Sequence, residues 1–116
     1  MIKSFRDLEI WQKGIELVKD VYQVTEGFPT SELYGLVSQM RRAAVSATSN
    51  VAEGFRRGYS KEFKQFLGVA LGSLAELETQ LVISRELGYV QLADEKRIVE
   101  KIDHISRMIM NLMKKL

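Results

Sequence analysis

The sequence predicts an all-α fold, an antiparallel up-down-up-down bundle of four helices. Three observations lead there. Apolar residues recur at alternating steps of three and four in four successive stretches, the rhythm of a coiled-coil-like seam. No stretch alternates at every second residue, as a half-buried strand would. The links between the stretches are short, and short links bring consecutive helices back antiparallel.

The first helix carries Leu8, Trp11, Ile15, Val18, Tyr22 and Thr25 on its seam. Gly27-Phe28-Pro29-Thr30 ends it, and Thr30 or Ser31 is placed to cap the next. The second helix repeats through Leu33, Val37, Met40, Ala44, Ala47 and Val51. Gly58 suits a left-handed C-terminal cap, and Ser60 can start the third helix. That helix runs through Phe63, Leu67, Ala70, Leu74, Leu77 and Leu81. After Gly88-Tyr89-Val90-Gln91 the fourth follows with Ile98, Ile102, Ile105, Ile109, Leu112 and Leu116. Helices two and three, about 26 residues each, would run roughly 40 Å. No repeat, low-complexity tract or second domain interrupts residues 1–116, a length that suits one compact unit.

Composition narrows the chemistry. Hydrophobic residues make up 46% of the chain, enough for a core, and cysteine is absent, so there is no disulfide framework or thiolate chemistry. With His104 the single histidine, a metal site would need carboxylates only. In MIKSFRDLEIW charges precede any apolar run, so no signal peptide is visible. The longest charge-free run, Gln65 to Ala75, is too short to span a bilayer. A soluble cytoplasmic protein with no cofactor and no membrane partner is the expectation.

Met40 to Arg57 stands out. Between Ala43 and Gly54 this helix is small or apolar on nearly every face, whereas a surface helix keeps one side charged. Val45 and Ala52 lie off the seam, as do the small Ser38, Ser46 and Ser49. In the third helix Gly68 and Gly72 share a face, and glycine inside a helix costs ~1 kcal/mol relative to alanine. Close approach to the Ala-rich face of helix two would compensate. Tight crossing within one chain is one reading; an added homo-oligomer interface through Val45 and Ala52 is the other. Asn50, Glu53 and Arg57 share one side of helix two, and Glu76 and Glu78 sit mid-helix in the third. They read as an interhelical polar network that fixes register, because buried charges must be paired. A carboxylate enzyme centred on Glu53, Glu76 and Glu78 is the alternative, but it lacks a histidine, a nucleophile and a phosphate-type loop, so no enzyme is expected. His104, beside the seam residue Ile105, is expected to be partly buried.

The topology predicts a charge asymmetry that the net charge of +2 hides. The start of helix one, the end of two, the start of three and the end of four meet at one pole. Nine bases gather there (Lys3, Arg6, Arg56, Arg57, Lys61, Lys64, Arg107, Lys114, Lys115) against four acids, Asp7, Glu9, Glu53 and Glu62. The opposite pole holds four bases and six acids. Cations at helix C-termini are routine. Lys61 and Lys64 begin a helix, the unfavourable end for cations, and Lys3 and Arg6 precede one. Phosphate binding would explain them, with Phe5, Phe55 and Tyr59 near enough to stack on unpaired bases.

FRDLEIWQKGIELV, YGLVSQMRRAAVSATSNVAEGFRRG and FLGVALGSLAELETQLVISRELGY together resemble the four-helix bundle proteins encoded in intervening sequences of bacterial 23S rRNA genes. The most specific pieces are Asn50-Val51-Ala52-Glu53-Gly54 and Gly72-Ser73-Leu74-Ala75-Glu76-Leu77-Glu78; Gly14, where relatives often carry alanine, departs from the pattern. The resemblance implies a left-handed bundle assembled as a homopentamer, with no established cellular role. It extends to the accessory variability determinant of diversity-generating retroelements, a basic pentamer that binds nucleic acid and a reverse transcriptase. By motif it implies Arg41, Arg42, Arg56 and Arg57 as nucleic-acid contacts and Asn50, Glu53 and Glu76 as structural polar residues. The leading expectation is thus a homo-oligomer that binds RNA through a basic pole. The alternative is a scaffold that docks an acidic protein partner, such as a reverse transcriptase or another polymerase, without touching nucleic acid.

Overall fold

The computed structural model describes residues 2–116 and, among them, contains four α-helices and no strand. The helices are α1 (Glu9–Thr25), α2 (Ser38–Arg56), α3 (Ser60–Glu86) and α4 (Leu92–Lys114). The most extensive packing is between α2 and α3; α1 lies on α2, and α4 closes the bundle against both α3 and α1. Along the α2–α3 seam Gly54 faces Phe66, the Ser46 and Ser73 hydroxyls lie 3.1 Å apart, and Met40 meets Ser84. Residue numbers therefore fall on one helix as they rise on the other. The 27 residues of α3 run roughly 40 Å, close to the 44 Å long axis of the molecule.

The predicted seams of α2 and α3 are buried from Val37 to Val51 and from Phe63 to Leu81, and on α4 Ile98, Ile102, Ile105 and Ile109 join them. Each fully buried leucine or isoleucine contributes about 1.5–3 kcal/mol relative to its exposed state. On α1 the core face is only partly the predicted one: of the predicted seam, Leu8, just before the helix, and Thr25 are buried. Ile10, Gly14, Leu17, Val21 and Thr25 are buried, while Trp11 and Val18 are half-buried and Ile15 and Tyr22 are exposed. The two stripes are neighbours on the helix. The inner one includes Gly14, whose missing side chain leaves room for Thr48 of α2. Trp11 and Tyr22 stand at the rim, where Arg6 and Arg41 stack on them.

The second helix also begins differently. A 3-10 turn, Thr30–Glu32, leads into a π turn, Leu33–Val37, in which Gly35 takes a non-helical backbone (φ −108, ψ −112). Regular helix starts at Ser38, so α2 has 19 residues and Leu33 is exposed. Neither Thr30 nor Ser31 caps it. The Glu32 carboxylate instead accepts from the Leu36 N–H at 3.4 Å and from the Tyr89 hydroxyl at 3.2 Å. The remaining links follow expectation: Gly58 (φ +83) and Gly88 (φ +85) take the left-handed conformation after α2 and α3, and Ser60 opens α3.

Gly68 and Gly72 do not meet the Ala-rich face of α2. A side-chain carbon added at either would meet nothing within 4 Å. Close approach occurs at Gly54 instead, where an added carbon would fall 2.6 Å from the Phe66 Cβ. The outer face of α3 is left as a mostly small and apolar strip of Gly68, Val69, Gly72, Ala75, Thr79, Val82 and Ile83, with exposed Glu76 among them. With apolar residues on both faces, α3 is by length and composition able to cross a membrane, contrary to the expectation from the charge-free run; its inner seam is core. His104 is exposed rather than partly buried, because it lies one position off the α4 seam.

Candidate functional site

At one end of the bundle the start of α1, the end of α2 and the start of α3 come into contact. The Arg56 guanidinium lies 5.5 Å from the Phe5 ring, and Phe5 packs edge-on against Trp11 at 5.4 Å. Phe55 meets Phe63 at 5.9 Å, and Arg57 lies 5.0 Å over Phe66. Ile10, Val51 and Ile109 border a common interior space, which brings α4 toward the same end. Phe5 and Phe55 are therefore engaged with protein and not free to stack on bases, because each is drawn onto the apolar rim of the core. Tyr59, in the α2–α3 link, is 71% exposed.

Charge pairing differs sharply between the two ends. Among the nine bases expected at this end, Arg57 alone makes an ion pair among the described residues, with Glu53 at 3.0 Å. That pair is exposed on both sides and is worth at most about 1 kcal/mol. Of the acids, Asp7 is engaged locally, its carboxylate accepting from the Ser4 N–H in a capping box. Towards the other end four of the six acids make ion pairs, Asp20 and Glu95 across helices and Glu86 and Asp94 within their own. Buried Glu95 accepts from Arg85 at 3.1 Å, Asp20 of α1 pairs with Lys101 and Arg97 of α4, and Arg97 also reaches Asp94. The half-buried Tyr89 hydroxyl is pushed above the usual phenol range, first by desolvation and then by its hydrogen bond to the Glu32 carboxylate.

The six predicted nucleic-acid residues do not form one patch. Arg56, Arg57, Lys61 and Lys64 are exposed around the α2–α3 link. Arg41 and Arg42 lie fifteen residues earlier on α2, about 22 Å away. Arg41 is half-buried: its Nε donates to Thr25 Oγ1 at 3.0 Å, and the guanidinium stacks on Tyr22 at 4.3 Å. It joins α1 to α2. Arg42 is exposed and lines a groove of about 320 Å³ with Gln39, Ser46, Glu76 and Gln80.

Of the five residues expected in the polar network, Asn50 alone enters a link between helices. Asn50 donates to the Ser46 carbonyl at 2.8 Å and to its hydroxyl at 3.2 Å, and Ser46 reaches Ser73 of α3. Glu53 turns outward to Arg57, and Glu76 is exposed in the Arg42 groove without a hydrogen bond among the described residues. The serines that complete the link carry no charge, which is why charge-based reading passed over them. Val45 and Ala52, predicted to lie off the seam, line a groove of about 540 Å³ between α1 and α2 with Trp11, Ile15 and Val18. The apolar stripe misread as the core of α1 is thus one wall of this groove. No cluster of three metal-ligating side chains occurs among the described residues.

The profile of the 23S rRNA-intervening sequence proteins matches residues 6–111. The chain belongs to this family. A crystal structure of a protein of unknown function from the S23 ribosomal protein family of Bacteroides thetaiotaomicron superposes with a TM-score of 0.81 at 18% identity. The match covers 90% of this chain and 98% of that one, and it supports the family's helical-bundle fold. No curated protein sequence matches.

Proposed function

We propose that this member of the family is a non-enzymatic, cytoplasmic homo-oligomer that binds RNA or another nucleic acid through its basic end. The observation that carries this reading is the unequal pairing of charge: four of six acids towards one end make ion pairs, two of them across helices, while eight of nine bases expected at the other have no acid partner among the described residues. Unpaired cations on one face are the electrostatic footprint of a polyanion site. The reading takes the bundle as antiparallel, up-down-up-down and left-handed. The opposing order of contacts along α2–α3 supports the first part, and the 3-4 seams support the second.

Self-association is supported by two largely apolar faces that differ from each other, with Glu53 and Arg56 at the edge of one and Glu76 on the other. One is the α1–α2 groove with Val45 and Ala52; the other is the open strip on α3. Contact between unlike faces runs head to tail and closes into a ring, with a pentamer as the proposed size. Basic ends would then share one side of the ring. In a fluorescence-anisotropy titration with RNA, replacing Arg56, Arg57, Lys61 and Lys64 together with glutamine should abolish most binding. Unchanged affinity would end the proposal.

A groove of about 480 Å³ lined by Leu33, Tyr34, Arg41 and Arg42 favours the second reading, docking of an acidic protein such as a polymerase. Tyr34 is 92% exposed there, and tyrosine and arginine are common anchors of protein interfaces. Co-purification of such a partner after nuclease treatment, without RNA affinity in the isolated chain, would select this reading.

A further inference from the structure

Resting on the nucleic-acid reading above, we propose that the α2–α3 link selects single-stranded nucleic acid by stacking one unpaired base on Tyr59. Phe5 and Phe55 are engaged with Trp11 and Phe63, and Phe63 and Phe66 pack against Gly54, which leaves Tyr59 as the free aromatic ring at this end. Its side chain is 71% exposed and enters no aromatic or cation–π pair among the described residues. Its backbone is firmly held. Gly58 turns the chain with φ +83, and the Tyr59 carbonyl accepts from the Phe63 N–H at 2.9 Å as the first bond of α3. A rigid base beneath a projecting ring lowers the entropy lost on stacking.

The charges around the ring suit the same ligand. Arg56 and Arg57 precede Tyr59 by three and two residues, and Lys61 and Lys64 follow it by two and five. Cations on both sides of one ring can hold the phosphates that flank a single nucleotide while its base lies on the tyrosine. In a duplex the bases are stacked on each other and offer no free face, so only the phosphates would be held. Tyr34 is more exposed but lacks cations on both sides in sequence: of the two arginines in its groove, Arg41 is committed to Thr25 and Tyr22, which leaves Arg42 alone.

The test compares Tyr59→Ala, Tyr59→Phe and Tyr34→Ala in the full chain, with a short unstructured RNA strand, the same strand annealed to its complement, and phosphatidylserine vesicles as probes. Tyr59→Ala should weaken single-strand binding about 10-fold, within the range for loss of one base–aromatic stack, and leave duplex binding and the slope of affinity against salt unchanged. Tyr59→Phe and Tyr34→Ala should bind like the unaltered chain. Equal single-strand affinity for Tyr59→Ala and the unaltered chain overturns the inference, as does an equal loss on strand and duplex. A changed assembly mass in Tyr59→Ala also overturns it, by making the ring an interface residue. If the unaltered chain binds vesicles but neither RNA, or none of the probes, the nucleic-acid reading itself fails along with it.

Discussion

A methyl group added at Gly14 would lie 2.7 Å from the Thr48 hydroxyl, whereas one added at Gly68 or Gly72 would meet nothing. Thr48 cannot easily yield, being buried and donating from its hydroxyl to the Ala44 carbonyl at 3.0 Å. Gly14→Ala gains ~1 kcal/mol of helix propensity but overpacks the α1–α2 contact, a cost of about 1–3 kcal/mol. Net destabilisation is the expected result in urea unfolding. In a Thr48→Ala background the same change should cost less, because the two nearest atoms are gone and only the Cβ of residue 48, at 3.3 Å, remains close. Arg41 gives a second prediction at this scale. Arg41→Gln should lower stability by about 1–2 kcal/mol by releasing Thr25 and Tyr22, with little change in RNA affinity. A large loss of binding with unchanged stability would make Arg41 a ligand contact instead.

Among the elements, α3 is the helix whose outward face asks for an explanation. Gly68→Ala and Gly72→Ala should each stabilise the isolated helix by ~1 kcal/mol. If the glycine face seats another copy, the same substitutions should weaken the assembly measured by light scattering. Glutamate at Val45 or Ala52 should do likewise with helicity retained, and a wild-type mass of 13.3 kDa would remove the oligomer from consideration. The seams of α2, α3 and α4 are legible in sequence because their larger side chains keep an unbroken 3-4 rhythm, even where α2 and α3 are small or apolar on other faces as well. That of α1 is not, because two adjacent stripes are apolar and the true one is marked by a glycine, which hydrophobicity alone discounts. The start of the second helix is obscured in another way. Leu33 keeps the helical period, but the break at Gly35 follows Glu32, whose carboxylate meets Tyr89, a contact between residues 57 positions apart that no local pattern shows.

Over the whole molecule, the sequence-based count of charges at each end is a matter of topology. What that count could not reveal is which charges are satisfied, since Asp20 finds Lys101 and Arg97 only after α1 and α4 are packed. The imbalance that remains makes binding a question of counterion release. The direct measurement is RNA affinity as a function of salt for the unaltered chain and for the chain with glutamine at positions 56, 57, 61 and 64. Log affinity should fall linearly with log salt, at about −0.7 per phosphate neutralised on a single strand, and the substituted chain should show a shallower line. Two lines of equal slope, or no binding by the unaltered chain at low salt, would contradict a polyanion site at the basic end.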